Sequence, residues 1–314
     1  MTPVAVITGF LGSGKTTMIS RLLRDPGFAR TAVIVNEFGE IALDHALIVG
    51  GEETLLQLST GCLCCAVRSD LVATLLDLDA RRVAGAIAFE RVLIETSGLA
   101  DPAPILQALM TDAALAERFV LGRVTTLVDS LLGAATLAGH VEARRQLAFA
   151  DQVVLTKIDL VPPAESLLAA IAAAAPLAPV GIGAPDPSLL FAPGAGLPTD
   201  AIARHTAGLA ASLIRRVEAV PALALTLLLE ALAEQCGAKM LRFKGLFDVA
   251  EAPGRPAVVH AVQHVISPVT FLDAWPDADR TSRAVVIGQG IPSHFPARLL
   301  DAICVEVADE MRRG

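Results

Sequence analysis

The run Gly9-Phe10-Leu11-Gly12-Ser13-Gly14-Lys15-Thr16-Thr17 joins glycines, one lysine and hydroxyl side chains in a single stretch. It fits G-x4-G-K-[ST], the Walker A pattern for phosphate. Glycines let backbone N–H groups turn toward phosphate oxygens, and a helix that starts there adds its dipole. Lys15 can reach the β and γ phosphates, and the Thr16 hydroxyl can ligate Mg²⁺. Gly9, Gly12, Ser13, Gly14, Lys15, Thr16 and Thr17 are therefore the expected phosphate contacts, with Lys15 and Thr16 acting in turnover.

A second group ends "VVLTKIDL": Thr156, Lys157 and Asp159. It resembles the guanine-reading NKxD element. Guanine presents N1–H and an exocyclic amine side by side, and one carboxylate accepts from both. Adenine offers the wrong edge. Asp159 is thus the expected selector for GTP and GDP, with the Lys157 stem lying over the base. Thr156 stands where Asn is usual. A third group, "VLIETSGLADP", delivers Glu95 to the end of an apolar run, with Gly98 after it. Ligands of parallel sheets sit at the strands' carboxyl ends. Glu95 is placed to hold Mg²⁺, directly or through water, or to position the attacking water. The Gly98 N–H can read the γ-phosphate. The bland alternative is an ordinary turn into a helix at Asp101-Pro102.

The segment "GCLCC" packs Cys62, Cys64 and Cys65 behind Gly61. That spacing is too tight for a four-cysteine structural zinc site, but it supplies two or three thiolates and leaves room for another ligand. Soft sulfur favours Zn²⁺, Cu⁺ or Co²⁺ over Mg²⁺. The alternatives are redox sensing and three small buried side chains. Glu37 and Glu40, in "NEFGEI", can serve the same metal or Mg²⁺, or simply form a solvated acidic loop. His260 and His264 lie in a strand-like segment, which would set them about 13 Å apart and prevent chelation. Cys236 and Cys304 lie in helical patterns and read as core.

These groups need a scaffold that gathers loops at one sheet edge. Apolar strand candidates run over Val4–Thr8, Ala32–Asn36, Arg91–Glu95, Arg123–Asp129, Gln152–Thr156 and Ala178–Ile182. Helical stretches such as Thr16–Arg24, Ser69–Arg82 and Val141–Ala150 separate them. Continuous apolar strands alternating with helices imply an α/β fold, a mostly parallel sheet flanked by helices. The first domain is expected over residues 1–185. A Pro/Gly/Ala-rich linker covers 186–210, and a smaller α+β domain covers 211–314. In the latter, strand-like Ser212–Val217, Lys239–Asp248, Ala257–Ser267 and Arg283–Ile287 accompany helices Ala222–Cys236 and Pro296–Met311.

The chain has 314 residues, 54% hydrophobic but only 4% aromatic, so Ala, Leu and Val fill its cores. Its net charge of −8 argues against a generic nucleic-acid binder. Mean hydropathy is +0.59. The longest uncharged stretch, Ser166 to Pro185, is broken by Pro176, Pro179, Gly181 and Gly183, which disfavours a membrane span. No basic, cleavable leader precedes the phosphate loop. Clustered cysteines do not form a disulfide framework. A reducing cytoplasm is the expected setting.

Taken in order, "TGFLGSGKTT", "VNEFGEIALD", "GCLCC", "ETSGLADP", "RRQLAFADQVVLTKID" and "LRFKG" resemble the CobW-like metallochaperone GTPases, relatives of the nickel-insertion GTPases of urease and hydrogenase. The likeness extends over nearly the whole chain. It implies a P-loop GTPase whose nucleotide state controls binding of a transition metal, often Zn²⁺ or Co²⁺, and its delivery to a client metalloprotein. It also implies a fold class whose members frequently act as dimers. The chain departs from the pattern at Thr156, and its six histidines are scattered instead of forming a tract. A nucleotide-regulated zinc buffer, a redox sensor and a small-molecule kinase are the rival functions.

Overall fold

The computed structural model describes residues 1–35, 55–57, 65–175, 178, 180–182, 185, 187–192, 205–206 and 209–313. Glu37, Glu40, Cys62 and Cys64 lie outside the described residues. The chain divides into two compact units, Met1–Ile171 with Ala178–Ala195, and Ala172–Leu177 with Gly196–Gly314.

The first unit opens with β1 (Thr2–Gly9), α1 (Lys15–Leu22), β2 (Thr31–Val35), β3 (Leu55–Gln57) and α2 (Cys65–Val83). Next come β4 (Arg91–Glu95), α3 (Ala103–Thr111), α4 (Ala113–Ala116), β5 (Phe119–Asp129), α5 (Gly133–Gly139) and α6 (Val141–Ala148). It closes with β6 (Gln152–Thr156), α7 (Glu165–Ala174), whose residues 172–174 fall in the second unit, β7 (Val180–Ile182) and α8 (Pro187–Leu190). Seven strands form one sheet in the order β3-β2-β4-β1-β5-β6-β7, and every pairing is parallel. Residues Val4–Ile7 and Val92–Ile94 are 0% exposed. Strands covered on both faces have no use for polar alternation, so their sequence is continuously apolar. Helix α1 turns Met18, Ile19 and Leu22 against Ala5, Ile7 and Leu93 of the central strands.

The parallel sheet flanked by helices is the P-loop NTPase fold, as the alternation of strands and helices predicts. Strands β4 and β6 and helix α9 (Ala222–Cys236), in the second unit, have the expected bounds. Strand β5 begins at Phe119, earlier than the Arg123 start expected. Arg118 and Arg123 read as polar breaks, but Phe119 is buried, and Val120–Leu121 pair with Pro3–Val4 of β1. Three-residue β3 carries too little pattern to be found by periodicity.

The second unit contains β8 (His205–Thr206), β9 (Leu209–Arg216), α9, β10 (Met240–Phe247), β11 (Ala257–Val262), β12 (Val265–Ile266), β13 (Thr270–Phe271), β14 (Ser282–Gln289) and α10 (Phe295–Arg313). Its sheet runs β12-β11-β10-β14-β9-β8, with β13 on β11, and the pairings are antiparallel. One face of the sheet buries Phe243, Phe247, Val259 and Val286 with Leu225, Leu228 and Leu232 of α9 and Leu300 and Val307 of α10. Phe243 and Phe247 stack with ring centroids 6.2 Å apart. Gly245 stands between them because a Cβ there would meet the Phe247 ring at 2.4 Å. This is the expected smaller α+β unit.

The segment read as one strand, Ala257–Ser267, is instead a hairpin. Gln263 takes φ 54° and reverses the chain, so that Val262 pairs with Val265. His260 and His264 are thus not on one extended strand, and the 13 Å spacing does not apply. No helix among the described residues is long and apolar enough to cross a membrane.

Candidate functional site

Strand β1 ends at Gly9, where φ is 148°. A Cβ there would lie 2.5 Å from the Leu127 carbonyl and 2.7 Å from the Ser13 hydroxyl, so the loop closes only on glycine. The loop turns through a bond from Ser13 N–H to the Phe10 carbonyl, 3.1 Å. Gly14, at φ 91°, caps α1 in a left-handed conformation that disfavours side chains. The first N–H groups of α1 have no partners inside the helix and form an anion-binding end. Lys15 is buried, and its ammonium donates to the carbonyls of Gly9 (2.8 Å) and Phe10 (3.2 Å). Thr16 and Thr17 are exposed beside it.

Strand β4 lies between β1 and β2, with Glu95 paired in register to Ile7 and Val35. That register brings the Glu95 carboxylate to the end of the phosphate loop. Thr16 Oγ1 donates to Glu95 Oε1 at 3.0 Å, and Glu95 is 4% exposed. Just past it the Thr96 hydroxyl donates to that of Thr8 at 2.8 Å, and Thr96 N–H to the Ile7 carbonyl, fastening the two strand ends. Gly98 follows in close approach to the phosphate loop. A Cβ there would meet the Leu11 backbone N and Cα at 2.9 Å.

At the end of β6, the Thr156 hydroxyl donates to the Ser13 carbonyl at 2.8 Å. The residue in the usual Asn position therefore braces the phosphate loop. Lys157 has φ 56°, and its ammonium is 2.5 Å from Oδ2 of Asp129 at the end of β5. The other Asp129 oxygen accepts from Leu131 N–H (2.7 Å) and Leu132 N–H (3.3 Å). Asp159 follows in an exposed turn, with Leu160 and Val161 N–H both directed to the Lys157 carbonyl.

The structure thus gathers Gly9, Gly12, Ser13, Gly14, Lys15, Thr16, Glu95, Gly98, Thr156 and Lys157 around one loop at the carboxyl edge of the sheet. The sequence reading missed Asp129 and Gln146. Asp129 carries a signal that was available, since it too closes a parallel strand. Gln146, on α6, donates its amide to the Gly98 and Ala100 carbonyls, and nothing in its local sequence points to that. Of the cysteine cluster, Cys65 is the first residue of α2; Cys62, Cys64, Glu37 and Glu40 lie outside the described residues. Among the described residues no group of three or more His, Cys, Asp or Glu could hold a metal ion.

Known proteins resemble this chain in sequence and in fold. Residues 3–180 match the CobW/HypB/UreG nucleotide-binding domain, and residues 212–304 match the C-terminal domain of cobalamin synthesis protein CobW. The zinc chaperone YjiA of Escherichia coli is 40% identical over 196 residues, covering 61% of this chain and 62% of that protein. The zinc chaperone CobW of Pseudomonas aeruginosa is 37% identical over 188 residues, covering 50% of this chain and 49% of its own length. The zinc-regulated GTPase metalloprotein activator 1 of Schizosaccharomyces pombe is 34% identical over 170 residues, 51% of this chain and 39% of its own. The matches thus span between about two fifths and three fifths of these relatives' lengths. The crystal structure of Zn(II)-bound YjiA GTPase from E. coli superposes with a TM-score of 0.75 at 27% identity, covering 96% of this chain and 99% of that one. With both of its domains matched and the phosphate loop intact, the chain belongs to the CobW/HypB/UreG family of nucleotide-binding proteins.

Proposed function

We propose that this protein is a GTP-hydrolysing zinc chaperone, which binds Zn²⁺ at Cys62, Cys64 and Cys65 and transfers it to a client metalloprotein. The observation that carries the GTPase half is the 3.0 Å bond between the Thr16 hydroxyl and the Glu95 carboxylate at the mouth of a complete phosphate loop. Two hard oxygen donors side by side next to a phosphate cradle are the set Mg²⁺ prefers, so Thr16 and Glu95 would hold it. When bound, the ion neutralises charge that develops on the β and γ oxygens. Lys15 meets the same phosphates by leaving the Gly9 and Phe10 carbonyls. The α1 N-terminus supplies N–H donors, and Thr156 keeps the loop's shape through Ser13. Asp159 accepts the paired guanine donors. The zinc half is supported by the relatives' names and by the thiolate chemistry of the CxCC segment. Co²⁺ is the second metal that its sulfur donors suit.

Two measurements test the proposal. GTP and GDP should bind at least about tenfold more tightly than ATP, and Asp159→Asn should erase that preference, because an amide puts a donor where guanine needs an acceptor. Equal affinity for ATP sinks the guanine assignment. Zn²⁺ titrated into reduced protein should bind more tightly with a non-hydrolysable GTP analogue than with GDP. The expected coupling is about 1–3 kcal/mol, and it should vanish in the Cys64→Ala/Cys65→Ala variant. Metal affinity that ignores the nucleotide leaves a zinc buffer instead of a chaperone.

A further inference from the structure

Helix α6 carries Arg144, Arg145 and Gln146 in succession, and each side chain has a different task. Arg144 donates to the Leu137 and Ala138 carbonyls near the end of α5. Arg145 pairs with Asp101 at 3.4 Å. Gln146 is 0% exposed, and its amide nitrogen donates to the Gly98 carbonyl at 3.0 Å and the Ala100 carbonyl at 3.1 Å. Its own carbonyl accepts from the Thr126 hydroxyl at 3.0 Å, which ties this point of α6 to β5.

The turn gripped by Gln146 runs from Ser97 to Ala100 and is closed by Ala100 N–H to the Ser97 carbonyl, 3.1 Å. It follows directly on Glu95 and presses Gly98 against Leu11 of the phosphate loop. A trans peptide points its N–H opposite to its C=O. Holding the Gly98 and Ala100 carbonyls toward α6 therefore fixes the N–H groups of Leu99 and Asp101 away from it. Gln146 also lines a cavity of about 290 Å³ together with Phe10–Ser13 of the phosphate loop. The Gln146 Oε1 atom is buried with no hydrogen-bond partner among the described residues. The nitrogen alone does the holding.

We infer that Gln146 is a positioning residue for GTP turnover, setting the orientation of the Ser97–Ala100 turn against the phosphate loop. The inference rests on the GTPase reading above. It requires an amide at this position. A carboxylate of the same shape would turn an acceptor toward two carbonyls, and an apolar side chain of similar length would leave both unheld.

The test uses the full chain as wild type, Gln146→Met and Gln146→Glu. Steady-state GTP turnover, affinities for fluorescent GDP and a non-hydrolysable GTP analogue, and thermal midpoints are measured for each. Turnover should fall on the order of ten- to a hundredfold through misplacement of the turn, further in Gln146→Glu than in Gln146→Met. GDP affinity should stay within about twofold, so the preference for the GTP analogue over GDP shrinks. Variants that turn GTP over like the wild type overturn the inference. So does equal weakening of both nucleotides with a lowered midpoint, or failure of both variants to fold, because each makes Gln146 a purely structural residue. A wild type without GTP turnover sinks the GTPase reading and this inference together. An active wild type with unaffected variants sinks the inference alone.

Discussion

Thr156 stands where the guanine-reading element usually has Asn, and its hydroxyl bonds to the phosphate loop. An Asn amide carries two N–H donors and an acceptor; the threonine hydroxyl has a single donor beside its acceptor lone pairs, and that donor reaches the Ser13 carbonyl at 2.8 Å. Thr156→Val keeps the shape and removes the bond. One internal hydrogen bond is worth about 1 kcal/mol, so GDP affinity should drop by roughly fivefold while the preference for guanine over adenine persists. Isothermal titration with GDP and ADP checks both halves. The two thiols outside the cluster are buried. Burial pushes the Cys236 thiol up, against a lowering pull from Lys239. Burial also raises Cys304, with Arg216 pulling the other way and Asp301 and Glu218 adding to the rise. The thiolate is the reactive form. Brief alkylation of native protein near neutral pH should therefore leave Cys236 and Cys304 unlabelled in a peptide map, and denatured protein should label both.

At the scale of elements, the turn that starts β14 is held by charge. Asp277 and Asp279 face Arg283, and Arg215 of β9 reaches Asp279 at 2.8 Å. The Asp279 carboxyl lies below its usual range, first because the Thr281 hydroxyl donates to it, then because of the Thr281 N–H, with smaller help from Arg215 and Arg283 against a desolvation cost. A carboxyl whose folded pKa is depressed stabilises the fold above its unfolded value, about 3.9, and that stabilisation is lost as pH falls through the lower folded value. Thr281→Val should thus lower the thermal midpoint at about pH 6, and the difference from wild type should narrow as pH drops below about 4. A difference that stays constant across that window would show that the hydroxyl does not act through Asp279.

At the scale of the whole molecule, all the described residues assigned to the nucleotide belong to the first unit. The second has its own core of α9, α10 and one face of its sheet. Leu228, 0% exposed in that core, should cost about 2–5 kcal/mol when replaced by Ala, as large-to-small changes do in close-packed interiors. Trp275 is the chain's one tryptophan and lies in the second unit, with the Arg283 guanidinium 5.6 Å from its ring centre. Trp275 lies outside that core, but denaturant unfolding followed by its fluorescence reports cooperative loss of this unit, and an unchanged midpoint in Leu228→Ala would contradict the packing described.

The sequence by itself determined the fold class and the phosphate loop, because both are written in local pattern. Buried parallel strands are continuously apolar, as in Val92–Ile94, and a phosphate cradle needs Gly14, Lys15 and Thr16 in fixed succession. It also pointed to Glu95, because ligands gather at strand ends, and to Thr156, because TKID resembles a guanine-reading element. The tertiary structure decided which of these residues meet. Only the register of β4 beside β1 sets Glu95 3.0 Å from Thr16. Only the placement of β5 beside β6 turns Lys157 to Asp129, and only the fold of α6 sets Gln146 on a turn 48 residues away in sequence. Contacts between distant segments leave no periodicity in either segment. They arise from sheet order and register, which the whole chain settles at once.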